Sequence, residues 1–384
     1  MQALSAGQSQ VTNVSECDDS QVVVAALRDK PQVIDIKAAG TAMRFLTSLL
    51  ATTSGEHIIT GTQRMKQRPI AVLVNALRSL GADISYEESE GMPPLRIRGR
   101  MLPGGELFLP GDVSSQYISS LLMIGPTLRQ GLTLHLTGSI VSRPYIEMTL
   151  SMMRDFGAKA SWMSEDVVRV EAVPYTGADY HVESDWSAAS YWHEMMALSG
   201  DMQAWVELPG LFSKSLQGDS AVAEIFAALG VKTEFGDEMV RLSKEKRQVE
   251  KLECSLASQP DLAQTVVVTC CMLGLPFRIS GLQTLRIKET DRIAALQTEL
   301  RKLGMEVGCE GDDVMCWDGS RMRQSLDSTK EVFIDTYEDH RMAMAFAPVA
   351  MKRGSIGINN PEVVSKSYPL YWDNLRDAGF GIEE

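Results

Sequence analysis

Long apolar runs are missing from this 384-residue chain. No stretch reaches the roughly 18 residues of a helical membrane span. No charged stretch followed by an apolar core marks a signal peptide. Positive charge is also short: 37 Lys and Arg stand against 50 Asp and Glu, a net charge of -13. A surface of that sign repels phosphate backbones, which argues against general nucleic-acid binding but leaves room for a local basic pocket. Cysteine is sparse, and Cys17, Cys254, Cys270, Cys271, Cys309 and Cys316 match neither a zinc spacing nor a disulfide framework. Reduced thiols in a cytoplasmic protein are expected. The five histidines are scattered, none at a ligand spacing such as i, i+4, so no metal site is expected.

What is present is ordinary globular composition, 44% hydrophobic and 23% charged. The length suffices for two domains with separate cores. One phrase recurs: an amphipathic helix, an apolar residue, Gly, then a short strand. The glycines are Gly81, Gly157, Gly230, Gly304 and Gly379, spaced 73 to 76 residues apart. Glycine suits the position just past a helix, where the chain turns through the left-handed region. A second helix recurs in the same frame, starting near Thr41, Ser115, Ala188, Leu262 and His340. Its bodies are almost wholly apolar: Phe45 to Ala51, Tyr117 to Ile124, Tyr191 to Leu198, Val266 to Leu273 and Met342 to Ala350. Helices apolar all round belong in a core. Alternating strands such as Leu132-Thr133-Leu134-His135-Leu136 fill the gaps. Each repeat therefore reads as strands plus two helices, with the apolar helices inside and sheets outside. The frame places a sixth helix start before Met1, and Met1 to Ser5 reads as the tail of that helix. Val22 to Ile36 is compressed and lacks the helix-ending Gly.

The apolar helix starts carry the functional signal. A helix N-terminus presents unpaired N–H groups and the positive end of the dipole, so it attracts anions. The starts include Gly40-Thr41, Ser114-Ser115-Gln116, Asp261 after Pro260, and Asp339-His340-Arg341. Ordinary capping explains Ser, Thr and Asp there; Gln116 and Arg341 are not usual caps. Further cations lie at Arg68, Lys288, Arg292 and Lys366. Arg suits bidentate capture of carboxylate or phosphate, and Lys acts as a point charge. Lys288 and Arg292 are i, i+4 and would share one face if helical. The bland reading of that run is a solvated surface with weak ion pairs.

Several motifs together resemble the 5-enolpyruvylshikimate-3-phosphate synthase family. They are Ala39-Gly40-Thr41-Ala42-Met43-Arg44, Arg64-Met65-Lys66-Gln67-Arg68-Pro69-Ile70, Ser114-Ser115-Gln116, Ser142-Arg143-Pro144-Tyr145-Ile146-Glu147, Lys288-Glu289-Thr290-Asp291-Arg292-Ile293 and Asp339-His340-Arg341-Met342-Ala343-Met344. The resemblance runs from about Ser5 to the C-terminus. It implies an α+β, two-domain inside-out prism of β-α-β-α-β-β units, three in residues 1–181 (the first truncated) and three in 182–384. The crossover would fall near His181 to Ser184, with hinge closure on substrate. It implies transfer of the enolpyruvyl group of phosphoenolpyruvate to shikimate 3-phosphate, by a monomer with no cofactor. By residue match, Ser114, Ser115, Gln116, Ser142, Tyr145, Asp261 and Lys288 would bind shikimate 3-phosphate. Gly40, Arg68, Gln116, Arg292, Arg341 and Lys366 would bind phosphoenolpyruvate. Asp261 and Glu289 would be the base and acid.

The sequence departs from the family at its start, where a strand, a Lys-Ser motif and a following Arg are expected. Together with the frame, this implies that about 25 residues are absent, and a chain so shortened should be impaired. Loss of one preorganised charged donor costs on the order of 10²–10³ in rate. Thr284 and Ala38 stand where family members often have Asn. A related transferase acting on a UDP-linked amino sugar shares the fold but normally uses a loop Cys, and only Cys17 precedes residue 254. A degenerate binder of shikimate 3-phosphate and a site-free repeat protein are the non-enzymatic alternatives. The retained Asp261 and Glu289 weigh against the first, and the basic residues at equivalent repeat positions weigh against the second.

Overall fold

Each repeat turns on the residue that ends its amphipathic helix. The computed structural model describes residues 1–5, 9–141, 143–320 and 331–383. It divides into two compact units, Met1–Val182 and Glu183–Glu384, each with its own apolar core.

In the first unit, β1 (Val11–Thr12) leads to α1 (Asp18–Asp29). Next come β2 (Val33–Asp35), α2 (Gly40–Thr52), β3 (Gly55–Thr60), a short α3 (Gln63–Lys66), α4 (Ala71–Ser79), β4 (Asp83–Tyr86) and β5 (Leu95–Gly99). The sheet order is β2-β3-β5-β4, with β2 and β3 parallel and the other neighbours antiparallel. A parallel pair needs a crossover, and α2 is that crossover. The pattern recurs in β6 (Gly105–Pro110), α5 (Ser115–Ile124), β7 (Leu132–Thr137), α6 (Arg143–Asp155), β8 (Ala160–Trp162) and β9 (Val167–Val170), with order β6-β7-β9-β8. Strand β10 (Tyr180–His181) returns to pair in parallel with β1.

The second unit opens with α7 (Trp186–Leu198), β11 (Trp205–Pro209), α8 (Val222–Ala228), β12 (Val231–Gly236) and β13 (Met239–Lys244), in a sheet ordered β11-β13-β12. Then follow β14 (Leu252–Ser255), α9 (Ala263–Met272), β15 (Phe277–Ser280), α10 (Arg292–Lys302), β16 (Gly308–Glu310) and β17 (Val314–Trp317), ordered β14-β15-β17-β16. The last elements are β18 (Phe333–Ile334), α11 (His340–Phe346), α12 (Ala350–Arg353), β19 (Gly357–Ile358) and α13 (Tyr371–Asp377), with β18 and β19 parallel.

The apolar helices start within two residues of the expected places, α9 by way of a 3-10 turn at Pro260–Leu262. Every residue of α9 is buried. Within each unit these helices lie parallel, joined by hydroxyl pairs, Ser48 on α2 to Ser120 on α5 at 3.0 Å and Ser190 on α7 to Thr265 on α9 at 3.0 Å, while Ser119 on α5 meets Thr149 on the amphipathic α6 at 2.7 Å. Parallel packing gathers their N-termini at one end of the unit.

All five repeat glycines adopt positive φ, from 80° at Gly304 to 96° at Gly81. At Gly81 the next N–H, that of Ala82, bonds back to the Leu77 carbonyl at 2.9 Å, closing the last turn. The compressed segment keeps the same device without glycine: α1 ends at Lys30, which takes φ 44° and ψ 51° itself. Two expectations change. Met1 to Ser5 holds a single 3-10 turn, Gln2–Leu4. Lys288 and Arg292 do not share a helix face. A 3-10 turn ends at Ile287, Lys288 is extended, and α10 begins only at Arg292, where Asp291 accepts from the Ala294 N–H at 3.1 Å. Among the described residues no helix is long and apolar enough to cross a membrane.

Candidate active site

The second unit builds a charge cluster on one guanidinium. Arg292, the first residue of α10, is 2% exposed and faces three carboxylates. Its Nε donates to Asp339 Oδ2 at 2.7 Å, Nη1 to Asp261 Oδ1 at 2.8 Å, and Nη2 to Glu289 Oε2 at 2.9 Å. Each carboxylate has a further task. Asp339 caps α11 by accepting from the Arg341 N–H at 2.9 Å. Asp261 receives Arg341 Nη2 at 3.2 Å and lies 3.4 Å from Lys288 Nζ. Glu289 pairs through its other oxygen with Lys366. Lys288 thus meets the cluster from an extended segment, which supplies the proximity that a shared helix face would have supplied. Four cations thus gather around these three carboxylates, with Asp219 and Asp185 also in the field of Arg341.

Electrostatics follow from that geometry. Burial opposes ionisation of Asp261, but Arg341, Lys288 and Arg292 outweigh it and hold the carboxyl well below the usual range. Burial also opposes charge on Arg341, yet Asp261, Tyr191, Asp219 and Asp185 keep it firmly protonated. Asp219, 3% exposed and accepting from the Ser187 hydroxyl, is pushed up to about 6 by burial and by the charge of Asp261. His340 is held well below its ordinary value, first by burial and then by Lys366 and Arg341. A neutral His340 lying 3.8 Å from Asp339 is no ion pair.

The first unit gathers a second set. A Cβ added at Gly40, which opens α2, would lie 2.7 Å from Arg44 Nη1 and 2.8 Å from Arg68 Nη1. Two guanidiniums therefore close over the bare first turn of α2, where only glycine leaves them room. Arg44 Nη1 donates to the Gly40 carbonyl at 2.8 Å, while its buried Nε has no hydrogen-bond partner. Ser114 caps α5, accepting from the Gln116 N–H at 3.4 Å, and Ser115 is the first residue of that helix. Gln116 Nε2 donates to Thr41 Oγ1 at 2.9 Å, fixing the two helix starts side by side. Tyr117 donates to the Pro69 carbonyl at 2.6 Å and so anchors the segment carrying Arg68. Tyr145 lies in the first turn of α6. Ser142 lies outside the described residues.

The structure thus brings Asp261, Lys288, Glu289, Arg292, Arg341 and Lys366 together in one unit. It brings Gly40, Arg68, Ser114, Ser115 and Gln116 to the helix starts of the other. Sequence reasoning missed three participants. Asp339 read as a cap, although it also carries Arg292. Arg44 stood inside a motif with no role. Asp219 gave no signal, since a lone Asp before a short helix is ordinary. Among the described residues no group of three His, Cys, Asp or Glu side chains could hold a metal ion.

Comparisons with known proteins agree with this chemistry. The family model for EPSP synthase (3-phosphoshikimate 1-carboxyvinyltransferase) matches residues 1–375. A 3-phosphoshikimate 1-carboxyvinyltransferase of Bacteroides fragilis is 58% identical over 381 residues, 99% of this chain and 92% of that protein. One from Aliivibrio salmonicida is 35% identical over 404 residues, 98% of this chain and 92% of its own length. A solved EPSP synthase from Acinetobacter baumannii superposes with a TM-score of 0.75 at 21% identity, over 99% of this chain and 92% of that one. The fold is therefore the two-domain α+β fold of the enolpyruvyl transferases, and the chain belongs to the EPSP synthase family.

Proposed function

We propose that this chain transfers the enolpyruvyl group of phosphoenolpyruvate to the 5-hydroxyl of shikimate 3-phosphate, releasing phosphate by addition and elimination, with the two helix-start clusters as its working parts. The observation that carries this reading is the cluster on Arg292, which holds Asp261 and Glu289 among Arg292, Arg341, Lys288 and Lys366. Arg292, Arg341 and Lys366 take phosphoenolpyruvate in the second unit, and Gly40, Arg68 and Gln116 take it in the first. Lys288 and Asp261 take shikimate 3-phosphate, as do Ser114, Ser115, Gln116, Ser142 and Tyr145.

The proton steps need one group to accept and one to donate. Asp261 accepts the proton of the 5-hydroxyl as that oxygen attacks C2 of phosphoenolpyruvate, and Glu289 delivers a proton to C3. The adduct then loses phosphate while C3 returns a proton. Without ligand, Asp261 is a weak base, because three cations hold it low. Anionic substrates that occupy those cations weaken that pull and make it a stronger one. The same anions compete for Lys366 and Arg292, freeing the Glu289 oxygens to pass a proton. The remaining cations stabilise charge on the adduct.

Phosphate release from the two substrates tests this directly. Asp261→Asn and Glu289→Gln should each lower kcat by about 10²–10⁴. Retention of shikimate 3-phosphate binding by Glu289→Gln in calorimetry would separate lost chemistry from lost binding. A wild-type chain that binds the ligand without turnover would point to a binder instead. Family membership and the free cysteines also support a cytoplasmic monomer. Light scattering tests the monomer, and fractionation tests the compartment.

A further inference from the structure

The core of the second unit contains a titratable group that enolpyruvyl transfer does not use. Glu194 lies on α7, two turns beyond Ser187, with no exposed surface. Neither of its carboxyl oxygens meets a hydrogen-bond partner. Across the parallel α7–α9 seam, Ser190 meets Thr265 at 3.0 Å, and one turn further on Glu194 faces Thr269. The Thr269 hydroxyl donates to the Thr265 carbonyl at 2.7 Å. With that bond made, Thr269 offers Glu194 an oxygen lone pair; turned the other way it would favour the carboxylate, an effect that burial outweighs.

The other neighbours are committed elsewhere. Tyr371 on α13 lies in the field of the carboxyl but donates to the Met344 carbonyl at 2.8 Å. Cys270 on α9 is the other titratable group in that field. His193, the preceding residue of α7, turns to the Ala189 carbonyl at 2.9 Å and to Thr233 on β12 at 3.2 Å. Lys244 on β13 donates to the Ala197 carbonyl. Among the described residues no Lys or Arg pairs with Glu194. A buried carboxylate with no cation and at most one hydroxyl beside it is strongly unfavourable.

We propose that Glu194 is a protonated carboxylic acid at neutral pH and acts as a pH-sensitive latch between α7 and α9. Burial raises this group well above the ordinary carboxyl range. A folded-state value above the unfolded one gives stability that is complete below the unfolded pKa and is lost as pH rises towards the folded one. In that window the unfolding equilibrium constant rises about tenfold per pH unit. Between about pH 7 and 8 the N-terminal amine, lowered by burial, adds stability as pH rises, equally with and without Glu194; the remaining perturbed groups change little. Asp219, at about 6, has finished titrating. His193 and His340, both lowered by burial, are neutral. Cys270 is raised by burial, so it contributes only once unfolded thiols ionise, near pH 8.5.

The test is urea unfolding of the full chain at pH 7 and pH 8, wild type beside Glu194→Gln. From pH 7 to pH 8 the wild-type unfolding constant should rise about tenfold relative to that of the variant, which unfolds at higher urea at pH 8. Equal pH slopes in both proteins would overturn the proposal. Should the variant fail to fold, infrared spectroscopy of the wild type decides. A protonated-carboxyl band at pH 7.5 that disappears as the protein unfolds with rising pH supports the latch, and its absence sinks it.

Discussion

Arg292 Nε lies 2.7 Å from Asp339 Oδ2, with the two side chains 2% and 0% exposed. The pair ties the first residue of α10 to the cap of α11, because Asp339 also accepts from the Arg341 N–H. The same guanidinium reaches Asp261 and Glu289. One buried ion pair therefore sets the spacing of both proposed proton-transfer carboxylates.

Removing the buried carboxylate should destabilise the second unit. Asp339→Ala uncaps α11 and leaves part of Arg292 unpaired, at a cost of about 3–5 kcal/mol. Asp339→Asn keeps a capping oxygen and should lose less. Urea unfolding of both variants measures the difference, and equal small losses would show that the pair is not structural.

Gly40 should tolerate a methyl group in folding but not in binding. A Cβ there would lie 2.7 Å and 2.8 Å from two guanidinium ends, which are flexible and can move aside. Gly40→Ala should melt like wild type, yet raise KM for phosphoenolpyruvate about tenfold or more as Arg44 and Arg68 are displaced. Unchanged KM would mean that neither arginine serves the ligand.

His193 should contribute to acid sensitivity together with His340, which burial also lowers. Burial lowers it to about 4, so it is neutral in the folded core between Trp186 and Phe226. A lowered folded value gives stability that is complete above the unfolded pKa, near 6.5, and is lost as pH falls towards 4. At pH 5 the loss is about 2 kcal/mol. His193→Gln should make this limb shallower between pH 7 and 5 in thermal melts, with His340 supplying the rest, and an unaltered limb would assign it to other groups.

The left-handed helix ends should respond in opposite directions. Gly157 has φ 87°, and a Cβ there would lie 2.3 Å from Thr176 Oγ1. Gly157→Ala should cost about 1–3 kcal/mol. Lys30 occupies the equivalent conformation with a side chain, so Lys30→Gly should stabilise by up to about 1 kcal/mol. Chemical unfolding distinguishes the signs.

Much of the architecture was legible before any coordinates. Periodicity along one chain reports local structure, and Gly81, Gly157, Gly230, Gly304 and Gly379 mark helix ends because only glycine adopts that backbone without strain. Lys30 escaped notice because it takes the same conformation without the residue that announces it. The apolar bodies of α2, α5, α7, α9 and α11 were visible for the same local reason, and the motif order identified the family.

Residue identity and spacing along the chain thus determined the repeat, the helix starts and the cations at them. Only the tertiary structure decided who meets whom. Lys288 reaches Asp261 from an extended segment, Asp339 serves a helix cap and Arg292 at once, and Glu194 is sealed between two helices without a cation. Those relations join residues far apart in sequence, and their energies depend on burial and on the direction of each hydrogen bond. Neither is written in the order of the residues.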